Sequence, residues 1–206
     1  MLKKALYEYL CASNLNSSRD FNHKEYLDQL LVQLDKHITT TPFNHRVLLY
    51  QPGIVPDCLH FVESGVVRGY ITDDNHKKEK TNYLWFQNSL LGNANSRFYE
   101  LDSNLVFEVM RGTILCSISV SDLNELSQSF PRLNNVSRCL IESNKNSSSA
   151  RLLNKFSNAW ERLEELRRNT PEAEQLVSKG IIASFLGITP QHLSRIIREH
   201  IKKKPH

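Results

Sequence analysis

No stretch of this 206-residue chain stays apolar long enough to span a bilayer. The opening Met1-Leu2-Lys3-Lys4-Ala5-Leu6-Tyr7-Glu8 puts a carboxylate where a secretory leader would need its apolar centre. A cytoplasmic protein with no membrane partner is the expectation. Cysteine is sparse: Cys11, Cys58, Cys116 and Cys139 are scattered, and no CxxC or Cys/His pair has zinc-ligand spacing. These thiols are expected to pack as small hydrophobes, buried or half-buried. The chain also lacks a Gly-rich phosphate loop, GxSxG and HExxH. The carboxylates Asp73, Asp74 and Asp102 stand in turn-like contexts. These absences argue against an enzyme, and no metal or cofactor is expected.

What is present is an uneven charge. Residues 151–206 hold 11 basic and 6 acidic side chains, leaving 15 basic and 16 acidic in residues 1–150. The net excess of +4 therefore sits in the last quarter of the chain. A basic end on a near-neutral body suits a polyanionic partner, although Lys202-Lys203-Lys204 alone would suit any solvated tail.

Hydrophobic periodicity divides the body. Residues 1–41 read as helical, with Tyr26, Leu27, Leu30, Leu31 and Leu34 at helical spacing. From Asn44 to about Ser119 short β-rich runs are broken by Pro52-Gly53, Ser64-Gly65, Asp73-Asp74-Asn75, Leu91-Gly92-Asn93 and Arg111-Gly112. Such punctuation predicts an antiparallel sandwich or jelly roll, with strands at Leu59–Glu63, Val66–Ile71 and, last, Thr113–Ser119. Ser121 reads as an N-cap opening a helix through Leu123 and Leu126, and Pro131 as the start of another lined by Leu133, Val136, Leu140 and Ile141. The polar run Asn144–Ser149 fits either a loop or the interior of a long helix; the stripe resumes at Ala150, Leu152 and Leu153, which favours the helix. A further helix over Phe156–Arg168, with Trp160, Leu163 and Leu166 inward, should end at Asn169-Thr170-Pro171.

The densest signal lies at Lys179–Arg198. Ala183 is small where two helices would touch, and Gly187 suits a left-handed turn. Ile188 is expected to plug that turn, Thr189 to cap a second helix, and Pro190 to fall at its first position, where a missing N–H costs nothing. Leu193, Ile196 and Ile197 form its inner stripe. Gln191, Arg195, Arg198 and Lys202 recur at i, i+4, i+7 and i+11, a polar face without an acid. An amide can pair with adenine and a guanidinium with guanine in the major groove of double-stranded DNA. Gln191 and Arg195 are the expected base readers, with His192 as a third candidate. Thr189, Ser194, Arg198 and Lys202 are expected on phosphates. The competing interpretation is an αα-hairpin whose charged face is merely solvated.

The stretch Ile182–Ile196 resembles the DNA-binding core of the Crp–Fnr regulators, particularly variants of the Bacteroidetes group. Leu49-Tyr50-Gln51-Pro52-Gly53 and Leu59–Tyr70 resemble the opening of that family's effector domain. With Ser121-Asp122-Leu123 and Phe130-Pro131, the likeness covers about residues 25–201. It implies an α+β fold: an N-terminal cyclic-nucleotide-binding-like β-roll with its helices over 1–130, a dimerisation helix over 131–153 and a helix-turn-helix domain over 154–206. The hinge would fall at Leu153–Ser157. It further implies a homodimer on palindromic DNA, an unidentified small-molecule effector and RNA polymerase as a candidate partner.

The departures concern the ligand. The family's cyclic-nucleotide binders carry a Gly-Glu pair followed by an Arg next to Ser/Thr, the Arg pairing with phosphate. Here the matching region offers Gly92, Asn93, Arg97, Ser103 and Asn104, so these are the candidate ligand residues and cyclic AMP is not expected. The clustered cysteines of an iron–sulfur sensor are missing, with Cys11 alone near the start. His23, His45 and His60 are the candidate haem ligands, each read instead as packed or surface. The family's β-wing has no room before His206. The alternative function is a sensor or interaction module whose terminal helices bind protein.

Overall fold

The computed structural model describes residues 23–54, 57–73, 78–91, 105–131 and 158–203. They form α1 (His23–His37), β1 (Thr39–Phe43), β2 (Val47–Tyr50), β3 (Cys58–Ser64), β4 (Val66–Thr72), β5 (Glu79–Phe86), β6 (Val106–Val109) and β7 (Thr113–Ser119). Helices α2 (Val120–Ser129), α3 (Ala159–Asn169), α4 (Ala173–Leu176), α5 (Lys179–Phe185) and α6 (Pro190–Lys203) follow. The strands make two antiparallel sheets, ordered β1-β7-β3 and β2-β6-β4-β5.

Strand alternation sends Val62 and Leu115 of the first sheet, and Val67, Tyr83, Trp85, Phe107 and Val109 of the second, into the space between them. Trp85 stacks between Tyr83 and Phe107, with ring centroids 5.1 Å apart on each side. The outer face of the first sheet, through Leu59, Phe61, Cys116 and Ile118, packs against Leu30 and Leu34 of α1 and Leu123 and Leu126 of α2. The outer face of the second, through Val66 and Leu84, shares a core with Leu163, Ile182, Ala183 and Leu193 of the C-terminal helices. The β-roll is thus covered on one side by flanking helices and on the other by the C-terminal unit.

The turn between β3 and β4 shows why its glycine is required. Gly65 has φ +84°, and a Cβ there would lie 2.6 Å from Thr113 Cα. The Thr113 hydroxyl instead accepts from Val66 N at 3.1 Å and donates to Val66 O at 3.0 Å, tying β7 to this turn.

Most expected elements are found; several boundaries differ. Residues 39–41 are not helical: they begin β1, where β-branched Thr39, Thr40 and Thr41 pair with Ser117, Cys116 and Leu115 of β7. Helix α2 is capped by Ser119, not Ser121; the Ser119 hydroxyl accepts from Asp122 N at 3.0 Å, which puts Ser121 inside the first turn. Helix α3 begins after Asn158, whose side chain and Glu161 form a reciprocal capping box, later than the expected start at Phe156. Its end at Thr170 is as expected. Leu30 and Leu34 are buried, Leu31 half-buried, and the side chains of Tyr26 and Leu27 lie outside those described. Cys116 is buried and Cys58 half-buried, while Cys11 and Cys139 lie outside the described residues. The expected dimerisation helix beyond Pro131 and the hinge at 153–157 also lie outside them. Among the described residues no helix is long and apolar enough to cross a membrane.

Candidate nucleic-acid interface

The C-terminal unit is assembled by local rules. Ser178 caps α5 by accepting from Ile181 N. The helix ends in paired bonds, Ile188 N to Ala183 O at 2.9 Å and Gly187 N to Ser184 O at 3.1 Å. That is the Schellman pattern, and it needs the left-handed backbone that Gly187 supplies at φ +70°. Thr189 follows: its hydroxyl oxygen accepts from His192 N at 3.2 Å and its carbonyl from Leu193 N at 3.0 Å. Pro190 is the first residue of α6. Ala183 and Leu193 are fully buried where α5 and α6 meet, and Ile196 is buried beside them. Ile188 and Ile197 are half-buried against the same cluster.

The far end of α6 is held differently. The His200 imidazole lies flat on the Trp160 indole of α3, centroids 3.8 Å apart and planes 4° from parallel. Its Nδ1 lies 2.9 Å from Ile196 O, a contact in which the ring donates because a carbonyl can only accept. The Arg167 guanidinium is also placed over Trp160, 5.6 Å from the ring centre. Sequence reasoning missed the partnership of residues 160 and 200, since forty residues of separation leave no periodic trace.

This frame leaves Gln191, Arg195 and Arg198 exposed on one face of α6, with Thr189 exposed at its start. His192 and Ser194 are half-buried at the margin. Lys202 falls in the final turn, and its side chain lies outside those described. Two expectations are modified. The polar face is not without an acid at its border: Glu199 approaches Arg195 Nε to 3.9 Å, though both remain well exposed. Ser194 donates its hydroxyl hydrogen to Pro190 O at 3.0 Å, so it would have to release that bond before donating to a phosphate.

Two other cations of the unit are locally matched, while Lys179 at the start of α5 is exposed. Arg167 makes a two-pronged pair with Glu174 at 2.9 and 3.0 Å, and Arg168 meets Glu165 at 2.6 Å. Among the described side chains of the unit, the exposed cations outside these two pairs are Arg195 and Arg198 of α6 and Lys179 of α5.

Other candidate sites fare differently. Gly92, Asn93, Arg97, Ser103 and Asn104 lie outside the described residues. His60 is buried between the sheets with both ring nitrogens engaged, Nε2 by Tyr50 Oη at 2.7 Å and Nδ1 by Ser117 Oγ at 2.6 Å. Burial pushes its pKa down to about 4, with a smaller opposing effect from Asp57, and burial likewise raises that of Tyr50. An iron ligand at His60 would have to displace one of those two partners. His45 is exposed and His23 has no described side chain. Among the described residues no group of three His, Cys, Asp or Glu side chains could hold a metal ion.

No protein-family model matches the chain, and no curated protein does. Solved structures do. FixK2 from Bradyrhizobium japonicum superposes with a TM-score of 0.65 at 17% identity, covering 80% of this chain and 85% of that one. CLP from Xanthomonas campestris, described as a c-di-GMP-responsive global regulator, gives 0.62 at 15% identity, over 85% and 92%. A protein from Eubacterium rectale assigned to the crp/fnr family of transcriptional regulators gives 0.61 at 16% identity, over 83% and 82%. The fold of this chain is that of Crp/Fnr-type regulators.

Proposed function

We propose that this protein is a sequence-specific DNA-binding transcription regulator of the Crp–Fnr type, acting as a homodimer on palindromic sites. The observation that carries this reading is the exposed amide-and-guanidinium face of α6, set on a capped helix, turn and helix whose inner side buries Ala183, Leu193 and Ile196. Helix α6 is the recognition helix. Gln191 and Arg195, near its N-terminal end, read base edges, with His192 beside them. Thr189, Arg198 and Lys202 contact phosphates and fix register, and Ser194 joins them if its bond to Pro190 opens. The cap leaves the Thr189 hydroxyl hydrogen available, because the cap uses only its oxygen as acceptor. The C-terminal unit corresponds to the helix-turn-helix domain over 154–206, and the β-roll to the effector-type domain of residues 1–130. The dimer helix of residues 131–153 would set two copies of α6 about 34 Å apart, one turn of duplex.

The same reading makes the β-roll a sensor by descent, with RNA polymerase as a further partner. The neighbour from Xanthomonas campestris responds to a cyclic dinucleotide. For this chain the effector stays undefined, and cyclic AMP is disfavoured by Asn93 standing where a ribose-binding Glu is wanted.

The test is selection of duplexes from a random-sequence library by purified protein, with the salt dependence of the selected site measured. A palindrome with half-sites about one helical turn apart is expected. Recovery of no preferred sequence, even at low salt, overturns the proposal and favours a module whose terminal helices bind protein.

A further inference from the structure

The reading unit is not merely tethered to the β-roll; it is hydrogen-bonded to it. Strand β5 is an edge strand of its sheet, so alternate N–H and C=O groups along it point away from β4. Ser184, in the last turn of α5, occupies that edge. Its Oγ accepts from Thr81 N at 2.9 Å and donates to Glu79 O at 3.2 Å. One hydroxyl thus satisfies a donor and an acceptor two residues apart, as a neighbouring strand would.

The edge is held ready from behind. Arg68 of β4, only 3% exposed, donates from Nε to Thr81 Oγ1 at 2.9 Å and from Nη1 to Glu79 Oε2 at 2.5 Å. The two residues whose backbones meet Ser184 are therefore the two whose side chains grip Arg68. Arg68 is in turn anchored by buried Glu108, which Arg46 also holds, and it lies over Tyr70 at 4.4 Å. Between Thr81 and Tyr83 the pairing with β4 slips at Asn82, whose Oδ1 is buried without a hydrogen-bond partner. The slip turns Thr81 toward the same face as Arg68 and Tyr70.

While α5 is docked here, Gln191, Arg195 and Arg198 stay exposed. Docking does not hide the reading face; it fixes where that face points. We propose that Ser184 is a positioning residue for DNA reading, and Arg68 the residue that holds its docking edge, so that the docked arrangement is the DNA-competent one. This rests on the DNA-binding reading above. The shared core through Val66 and Leu84 keeps the head against the sheet, and the Ser184 bonds select the docked orientation within that contact; without them apparent affinity would fall in proportion to the docked fraction. Contacts within the bound complex would not change, so the salt dependence would not change either.

The experiment compares full-length wild type, Ser184→Ala and Ser184→Thr. Amide exchange at Thr81 is followed by NMR, together with affinity for a duplex selected by wild type. In wild type, Thr81 N–H should be protected. Ser184→Ala should speed its exchange at least about tenfold and weaken binding about tenfold, a loss on the scale of the two hydrogen bonds removed. The salt slope should stay the same, and Ser184→Thr, which keeps the hydroxyl, should restore both protection and affinity. Fast Thr81 exchange in wild type overturns the proposal. So does Ser184→Ala protein that loses protection yet binds the duplex equally well or more tightly. If wild type selects no sequence while Thr81 is protected, the DNA-binding reading has failed and the docking contact itself stands.

Discussion

Arg68 and Arg195 carry the same guanidinium in opposite circumstances. Arg68 is buried, with Nε donating to Thr81 and Nη1 to Glu79 and Glu108. Arg195 is exposed, and the Glu199 carboxylate stands 3.9 Å from its Nε. A buried cation can exist only if its surroundings complete its hydrogen bonds, so Arg68 is committed to the fold. An exposed cation with a distant partner contributes little to folding and keeps its donors for something outside. The contrast extends to their regions: polar groups of the roll (His60, Glu108, Thr113) are bonded to partners within it, while Gln191, Arg195 and Arg198 of α6 open outward.

The sharpest way to break the comparison is to remove the buried member. Arg68→Met leaves Glu108 with Arg46 as its one remaining cation and strips Thr81 and Glu79 of theirs; a loss of about 3 kcal/mol in folding stability is expected. Urea unfolding checks it, and a loss below about 1 kcal/mol would put this network with ordinary surface pairs.

Acid titration probes the second inward-facing group. The unfolded chain takes up a proton on His60 near pH 6.5, whereas the folded chain resists until about pH 4. The unfolded state therefore binds more protons across that window. Stability is fully present above about pH 6.5 and falls as pH drops through 4, by about 3 kcal/mol in all. His60→Asn should flatten that part of the stability curve; an equally steep curve in the variant would assign the acid sensitivity to other groups.

The outward member should behave in the reverse sense. Arg195→Ala is expected to leave the folding free energy, read from urea unfolding, within about 0.5 kcal/mol of wild type. Its duplex binding should weaken by about 1–3 kcal/mol, with relaxed preference at one base pair of the selected site. A variant that unfolds early but still discriminates bases would erase the distinction. The mildest effect is expected at Arg198→Ala: uniform weakening across sequences and a salt slope smaller by about 1, read from affinities at several ionic strengths.

Local chemistry made much of this legible in advance. The caps at Thr189 and Pro190, the turn at Gly187 and the inner stripe Leu193–Ile197 depend on residues a few positions apart, and each is where the sequence puts it. Strand β7 likewise runs from Thr113 to Ser119 as its composition predicts. At residues 39–41 three β-branched threonines ahead of Pro42 favour extended backbone over the preceding helical run, and pairing with β7 alongside completes the strand. Ser119 and Ser121 are both plausible caps, and the chain uses Ser119, which ends β7 and begins α2 without an intervening loop.

By itself, then, the sequence determined most of the elements and the polar face of α6, because capping, turn and periodicity energies act within a few residues along the chain. Tertiary structure alone decided which distant side chains meet: Arg46 with Glu108, His60 with Tyr50 and Ser117, Trp160 with His200, and Ser184 on the edge of β5. Those pairings join positions from 10 to 105 residues apart. They exist because a buried donor or acceptor must find its partner wherever packing brings one.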